Sequence, residues 1–218
     1  MAKLVECVPN FSVSREKDPA VFQGLVDTAN SIPGCFVFDV QSDGNHNRCV
    51  FTLLGSPEAM GEAAFQLTKK ATETIDMRRH TGQHPRMGAT DVIPFIPTMD
   101  TSVEECVELS KRVAARIWDE LRVPSFLYED SASRPERRNL AACRKGQFEG
   151  MPEKLLEPDW APEDPSDCGH HRHRRTDAAY RLQHQSRYLR HRGRKEDRKG
   201  YPRQGRRLCL LQGHRRDA

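Results

Sequence analysis

The sequence predicts an α+β fold in which an open sheet carries helices on one face. Short apolar runs with strand character alternate with longer runs in which apolar residues recur every three or four positions. Clusters of Pro, Gly, Asn and Asp separate these runs, and the resulting order is β-α-β-β-α-β-α-β. The pattern ends near residue 164 of 218, so we expect one domain followed by a segment of another kind.

Turn and cap residues mark the first four elements. An apolar run at 4–8, followed by Pro and Asn, predicts a strand and then a turn. Asp18 and Pro19 have the character of a helix N-cap and a first helical residue. Two apolar runs at 35–40 and 48–54 are joined by a polar turn, which predicts a hairpin.

The remaining elements are indicated in the same way. Pro57 opens a second helix with an apolar face, and a strand is expected near 92–96. Ser102 and Glu105 have the spacing of a capping box, which predicts the start of a third helix. A last strand is expected at 125–128.

The net charge of +4 is an average over two unlike segments. Residues 165–218 contain 16 Lys and Arg against 5 Asp and Glu, which leaves a net of −7 for residues 1–164. The basic segment also contains no Ile, Val or Phe. Such a composition cannot bury enough surface to offset the entropy of ordering, so we expect a disordered basic tail.

Membrane and secreted classes are disfavoured. No apolar run approaches the roughly 20 residues of a membrane span, and the N-terminus lacks the apolar stretch of a signal peptide. Seven scattered cysteines without a CxxC pair are expected to be reduced thiols. These features predict a cytoplasmic protein with no membrane partner.

The densest polar cluster lies at 77–91, between the second helix and the next strand. Gly and Pro exclude a continuous helix there, so the segment is expected to be a loop. His80 and His84 could move protons near neutral pH, and Arg86 could hold a carboxylate. A solvated Arg-rich turn is the alternative interpretation, and the residues alone do not favour one over the other. The spacing of the two histidines also suits metal ligands on a helix, but no helix is expected, and we predict no metal.

Two further polar clusters precede or follow strands. One contains Asp39 and the segment 43–48, and the other is Asn10-Phe-Ser12 after the first strand. Taken singly, each is more typical of an ordinary turn. Together with 77–91 they could converge at one edge of the sheet.

Several motifs of this chain are specific when they are taken together. The most specific stretch is His80-Thr-Gly-Gln-His84-Pro-Arg86-Met-Gly88-Ala-Thr-Asp91, supported by Val8-Pro9-Asn10, Pro33-Gly34-Cys35 and His46-Asn47-Arg48. In these stretches the chain resembles one family, the glutamate formiminotransferases, in their N-terminal subdomain, and the resemblance runs from about residue 1 to 163. The resemblance implies a ferredoxin-like subdomain. It also implies transfer of a formimino group from N-formimino-L-glutamate to N5 of tetrahydrofolate, in histidine degradation.

The resemblance assigns site residues as well. It implies that His84 is catalytic, because a single imidazole can take the proton of N5 and return one to the departing nitrogen. The residues expected to orient folate and formiminoglutamate are Asn10, Asp39, Arg48, His80 and Arg86. Tetrahydrofolate would be a co-substrate, and no metal is implied.

The chain departs from the family after residue 162. The continuation expected of the family, including a whole second subdomain, is absent. Back-translating 182–187 and reading one base later permits Tyr-Asn-Ile-Asn-Leu, a segment the family has. Our hypothesis therefore divides the chain into a subdomain at 1–164 and a tail at 165–218 that is an out-of-frame translation, through a real frameshift or a sequencing error. Such a truncated chain is expected to have little or no activity. A homo-oligomer is compatible with the sequence.

One alternative belongs to a different class. A small α/β domain with a basic disordered arm would bind nucleic acid without sequence preference and with strong salt dependence. Removing 165–218 would then abolish affinity for heparin or DNA. We favour the transferase interpretation, because an out-of-frame tail says nothing about a partner.

The coding DNA tests the division of the chain. We expect the frame one base later to continue the family sequence beyond codon 164. The hypothesis fails if no alternative frame does so.

Overall fold

The computed structural model describes residues 3–150 and Asp159; the predicted tail at 165–218 lies outside these residues. Within them, six strands and four α-helices are found, with two short 3-10 turns. The strands are β1 Val5–Cys7, β2 Asn10–Phe11, β3 Cys35–Asp43, β4 Arg48–Gly55, β5 Thr90–Val92 and β6 Phe95–Pro97. The helices are α1 Pro19–Asn30, α2 Pro57–Thr74, α3 Val103–Leu121 and α4 Leu140–Arg144, with 3-10 turns at Glu129–Ser131 and Pro135–Arg138.

Proline interrupts two long strands of the sheet. β1 and β2 flank Pro9 and pair with successive parts of β4, while β6 and β5 flank Pro94 and pair with β1 and β2. Proline has no N–H to give to a ladder, so each strand is broken there. If each broken strand is counted once, the order is 4-1-3-2 with antiparallel neighbours, which is the ferredoxin-like arrangement. The predicted α+β class is confirmed.

The helices begin where the caps predict. The Asp18 carboxylate accepts the Val21 N–H at the start of α1. Ser102 and Glu105 form the predicted capping box of α3. The apolar faces of α1, α2 and α3 pack on one face of the sheet. The core between them contains Leu25, Leu67 and Ile117 from the helices and Phe51 and Leu53 from β4. The opposite face of the sheet carries none of these three helices.

Two predicted elements differ from the structure. Asn10 was expected in a turn, but it lies in β2, because pairing with β4 resumes directly after Pro9. Residues 125–128 were expected to form a strand, but only Ser125 makes an isolated bridge. Glu129 has φ 54°, so the chain leaves the extended conformation directly after residue 128.

The open face of the sheet is partly apolar. In β3, the register shifts between Val37 and Asp39, so Phe38 is the extra residue of a bulge. Phe36 and Phe38 are 68% and 80% exposed. Burial raises the pKa of Glu6, which pairs opposite Leu54 in the middle of the same sheet. Such a surface is unusual for a sheet that faces only water.

Replacing Phe51 by Ala tests the position of the core. Phe51 is fully buried and makes an edge contact with Phe11 at 5.5 Å between ring centroids. We expect F51A to lower the free energy of unfolding by about 3–5 kcal/mol, measured by urea denaturation. F38A removes the same side chain from an exposed position and should change stability by less than about 0.5 kcal/mol. Equal losses in both variants would contradict this placement of the core.

Candidate functional site

Three segments meet at one end of the sheet, as the sequence suggested. They are the loop at 75–89, which we call the histidine loop, the β3–β4 turn at 44–47, and residues 12–14 after β2. Ser12 donates its hydroxyl to the Gly88 carbonyl at 2.6 Å and its N–H to the Ala89 carbonyl at 2.8 Å. The Gln83 N–H donates to the Asn45 carbonyl at 3.1 Å.

Asn47 joins all three segments. Its side-chain oxygen accepts the Ser14 N–H at 3.1 Å, and its amide nitrogen donates to the Thr81 carbonyl at 3.1 Å. Its main-chain carbonyl lies 2.9 Å from Nε2 of His80. Asn47 has φ 50°, a left-handed conformation that Asn tolerates better than most residues. A single side chain therefore fixes the histidine loop against the turn.

Gly82 allows the histidine loop to lie close against the β3–β4 turn. A Cβ at this position would lie 2.3 Å from the His46 carbonyl oxygen and 2.8 Å from the Asn47 Cβ. Any other residue would push the two segments apart. The glycine between the two histidines is thus explained by packing.

His84 is held by a buried carboxylate. Its side chain is 4% exposed, and Nε2 lies 3.1 Å from Oδ2 of Asp91, which is fully buried. Oδ1 of Asp91 accepts the Met87 N–H at 3.0 Å, and Arg144 of α4 also contacts Oδ2. The register between β2 and β5 shifts at Asp91, as in a bulge that re-aims a side chain.

Asp91 is negatively charged at neutral pH. Burial raises the pKa of its carboxyl, but the His84 hydrogen bond and the Arg144 charge outweigh burial, so the pKa lies below its ordinary value. The ionised form therefore stabilises the fold above the ordinary carboxyl range, and this contribution is lost as the pH falls through the lowered pKa.

His80 has a structural bond and one unused nitrogen. Its Nε2 is occupied by the Asn47 carbonyl, while Nδ1 is buried without a hydrogen-bond partner. Burial lowers the pKa of His80, and the nearby charges of Arg86 and Lys17 lower it further. The ring is therefore neutral at neutral pH and donates Nε2–H to the carbonyl.

Arg86 is engaged by the segment that follows α4. Its Nη2 donates to Glu149 at 2.7 Å and its Nη1 to Gln147 at 3.3 Å, while its carbonyl accepts the Phe148 N–H at 3.0 Å. Its Nε is buried without a partner. The segment at 147–149 therefore covers a cation that the sequence predicted to bind a substrate carboxylate.

The other three predicted residues lie on the open face of the sheet. Alternation along β4 puts Arg48 on this face, and the pairing places Asn10 opposite Val50 and Asp39 opposite Thr52. The Arg48 Nε is buried without a partner. The Asp39 carboxylate accepts a hydrogen bond from Gln41 at 2.8 Å. The structure thus separates the six predicted residues into a loop group and a sheet group.

An open depression of about 530 Å³ adjoins the histidine loop. Its lining residues are Pro85, Leu140, Ala141, Arg144, Lys145, Gly146 and Gln147. Across 3–150, no three His, Cys, Asp or Glu side chains are grouped as metal ligands would be. None of the helices in this part of the chain is long and apolar enough to cross a membrane.

Sequence reasoning did not assign Asn47, Asp91 or Arg144 to the site. Asn47 and Asp91 stand inside the recognised motifs, and an Asn before a strand or an Asp after a glycine-rich loop could have indicated them. Arg144 lies 53 positions from Asp91 in a five-residue helix. No local pattern identifies it.

Replacing Asn47 by Ala tests the contact between the three segments. The change leaves the buried Ser14 N–H without a partner and removes one of the two donors to the Thr81 carbonyl, which keeps Lys17. We therefore expect a loss of about 1–3 kcal/mol in unfolding free energy by thermal or urea denaturation. The control is N45A, because the hydrogen bonds of the exposed Asn45 use its main chain. If N47A is as stable as N45A, Asn47 does not hold the loop.

Comparisons with known proteins identify the family of this chain. Residues 4–179 match the family model for the formiminotransferase domain, N-terminal subdomain. The chain is 64% identical over 163 residues to the glutamate formimidoyltransferase of Streptococcus pyogenes serotype M1, which covers 75% of this chain and 54% of the relative. The formimidoyltransferase-cyclodeaminase of Gallus gallus is 47% identical over 163 residues, 75% of this chain and 30% of the relative.

An archaeal relative gives the same result. The glutamate formimidoyltransferase of Thermoplasma acidophilum is 43% identical over 162 residues, 73% of this chain and 53% of the relative. The chain spans about half the length of the two glutamate formimidoyltransferases it matches. Among solved structures, MupZ from Pseudomonas fluorescens has a TM-score of 0.36 and 12% identity, over 52% of this chain and 80% of that one, too weak a likeness to use. By its family match over residues 4–179, the chain belongs to the family of N-terminal subdomains of the formiminotransferase domain.

Proposed function

We propose that this chain carries the N-terminal half of a glutamate formiminotransferase site. The reaction would transfer the formimino group of N-formimino-L-glutamate to N5 of tetrahydrofolate, in histidine degradation and one-carbon metabolism in the cytoplasm. The observation that carries the proposal is His84, a histidine held by a buried carboxylate on a loop fixed at one end of the sheet. The names of the relatives support the same reaction class.

His84 has the chemistry that the transfer requires. N5 of the folate attacks the amidine carbon, a C–N bond forms, and N5 must lose a proton. The bond from that carbon to the glutamate nitrogen then breaks, and this nitrogen must gain a proton. One imidazole accepts the first proton and returns it in the second step, so no net proton is consumed.

The arginines supply the charge for two acidic substrates. Arg48 and Arg86 would bind carboxylates of formiminoglutamate or of the folate tail, and the buried Nε of each has no partner among the described residues. A substrate carboxylate at Arg86 would replace Glu149, which is 65% exposed in its side chain. Asn10, Asp39 and His80 would orient the bound substrates.

The open face of the sheet would meet a second subdomain. Phe36 and Phe38 are exposed there, and Arg48 and Asn10 lie on the same face. The relatives extend well beyond the matched part of this chain. We therefore propose that tetrahydrofolate binds between this face and a second subdomain, and that residues 1–164 without such a subdomain have low or no activity.

Replacing His84 by Ala tests the proposed function. In an assay of formimino transfer with N-formimino-L-glutamate and tetrahydrofolate, any turnover by the chain should fall by about 100-fold or more, because the proton acceptor is lost. The control is H46A, which removes a half-exposed histidine paired with Asp43 at the surface. Turnover of H46A should equal that of the unmodified chain.

The same pair of variants is then compared in the protein translated with the frame restored after codon 164. This comparison distinguishes two reasons for missing turnover: either residues needed for activity are absent from the chain, or the proposed function is wrong. Turnover that depends on His84 only in the restored protein supports the proposal. Full turnover in the restored H84A variant contradicts it.

A further inference from the structure

We infer that Asp91 is the positioning residue of His84: it fixes the imidazole tautomer with the proton on Nε2 and leaves Nδ1 as the nitrogen that exchanges protons with the substrate. The inference deepens the proposed function and rests on it. No part of the resemblance or of the comparisons assigns a role to Asp91.

The geometry around Asp91 leaves only one arrangement of donors. Oδ1 accepts the Met87 N–H, and Oδ2 faces both Nε2 of His84 and the Arg144 guanidinium. An ionised carboxylate can only accept, so Nε2 must carry the hydrogen that it shares with Oδ2. A neutral imidazole has one N–H, and Nδ1 therefore holds the lone pair.

Arg144 keeps this arrangement in place. Asp91 is fully buried, and a buried carboxylate without a cation would protonate or move toward water. Arg144 contacts the same oxygen that faces His84. The ion pair therefore keeps Asp91 an acceptor, and the acceptor keeps the proton of His84 on Nε2.

Nδ1 of His84 is left for the reaction. No described residue forms a hydrogen bond with it, whereas both oxygens of Asp91 are occupied. Pro85, the next residue, lines the open depression beside the loop. The ring thus has one nitrogen fixed by the protein and one that the protein leaves unbonded.

The test locates the proton on the ring in the full 218-residue chain. The chain is labelled with ¹⁵N-histidine, and long-range ¹H–¹⁵N correlations of the imidazoles are recorded near pH 8, with H84A identifying the His84 signals. We expect a protonated Nε2 and an unprotonated Nδ1. A proton on Nδ1 would overturn the inference, whatever the variants do.

Asp91→Asn should reverse the tautomer. With its carbonyl on the Met87 N–H, the Asn side chain turns its amide group toward Nε2 and toward Arg144, so Arg144 loses this acceptor and the ring proton moves to Nδ1. The matched control is D43N, which changes the carboxylate 2.8 Å from Nδ1 of His46 and should leave the His84 signals unchanged. If the His84 tautomer is the same in a folded D91N, Asp91 does not set it. If D91N fails to fold, the proton position in the unmodified chain decides alone.

The result is independent of turnover. If H84A retains full activity in the restored protein, the proposed function fails while the tautomer measurement stands. If His84 is essential, D91N in the restored protein should lower kcat by about 100-fold or more with KM little changed, because the ring is present but in the wrong tautomer.

Discussion

The buried carboxylate of Asp91 is the constraint on which the site depends. Removing a carboxylate from water costs several kcal/mol, so a fully buried one persists only when each oxygen has a partner. Here the partners come from three places in the chain: the main chain at Met87, the ring of His84, and Arg144 of α4. Satisfying one charge therefore fixes the histidine loop, β5 and α4 relative to one another.

Asn47 supplies the second constraint, from the opposite side of the loop. It bonds to residues 12–14 and to the histidine loop through its side chain, and to His80 through its carbonyl. Gly82 permits the close approach that these bonds need. Between Asp91 and Asn47 the loop has little freedom although it contains no helix or strand. That explains how a loop can hold a histidine ring in one orientation.

Much of the fold could be predicted from the sequence because the patterns that indicate it involve residues close together in the chain. The Asp18 cap, the Ser102–Glu105 capping box and the periodicity of α1, α2 and α3 depend on residues a few positions apart. The convergence of three polar segments also followed from their positions at strand ends. Strand pairing was less accessible. Asn10 pairs where its own residue type predicts a turn, because the neighbouring strand offers unpaired groups.

The partners of the site residues were not accessible in this way. The contact between Asp91 and Arg144 joins positions 53 apart, and nothing in the sequence near Arg144 marks it. The hydrogen bond from Arg86 to Glu149 could not be predicted either, because it joins residues 63 positions apart. Residue types indicate which side chains can do chemistry, whereas the protonation and occupancy of those side chains depend on long-range contacts. The sequence could therefore identify His84, but only the tertiary structure shows which nitrogen of its ring is already in use.

The buried polar atoms around the site are of two kinds, those with hydrogen-bond partners and those without. The side chains of Asp91 and Asn47 have their hydrogen bonds satisfied, although Nε of Arg144 beside Asp91 is unpaired among the residues that the structure describes. Toward the open face and the loop, Nε of Arg48, Nδ1 of His80 and Nε of Arg86 are buried without partners in the described part of the chain. Buried polar groups are normally paired, so the unpaired atoms of these predicted site residues indicate groups whose partners are supplied from outside the described residues. Under the proposed function, this half of the site positions the proton acceptor, and the substrates and second subdomain complete the hydrogen bonding.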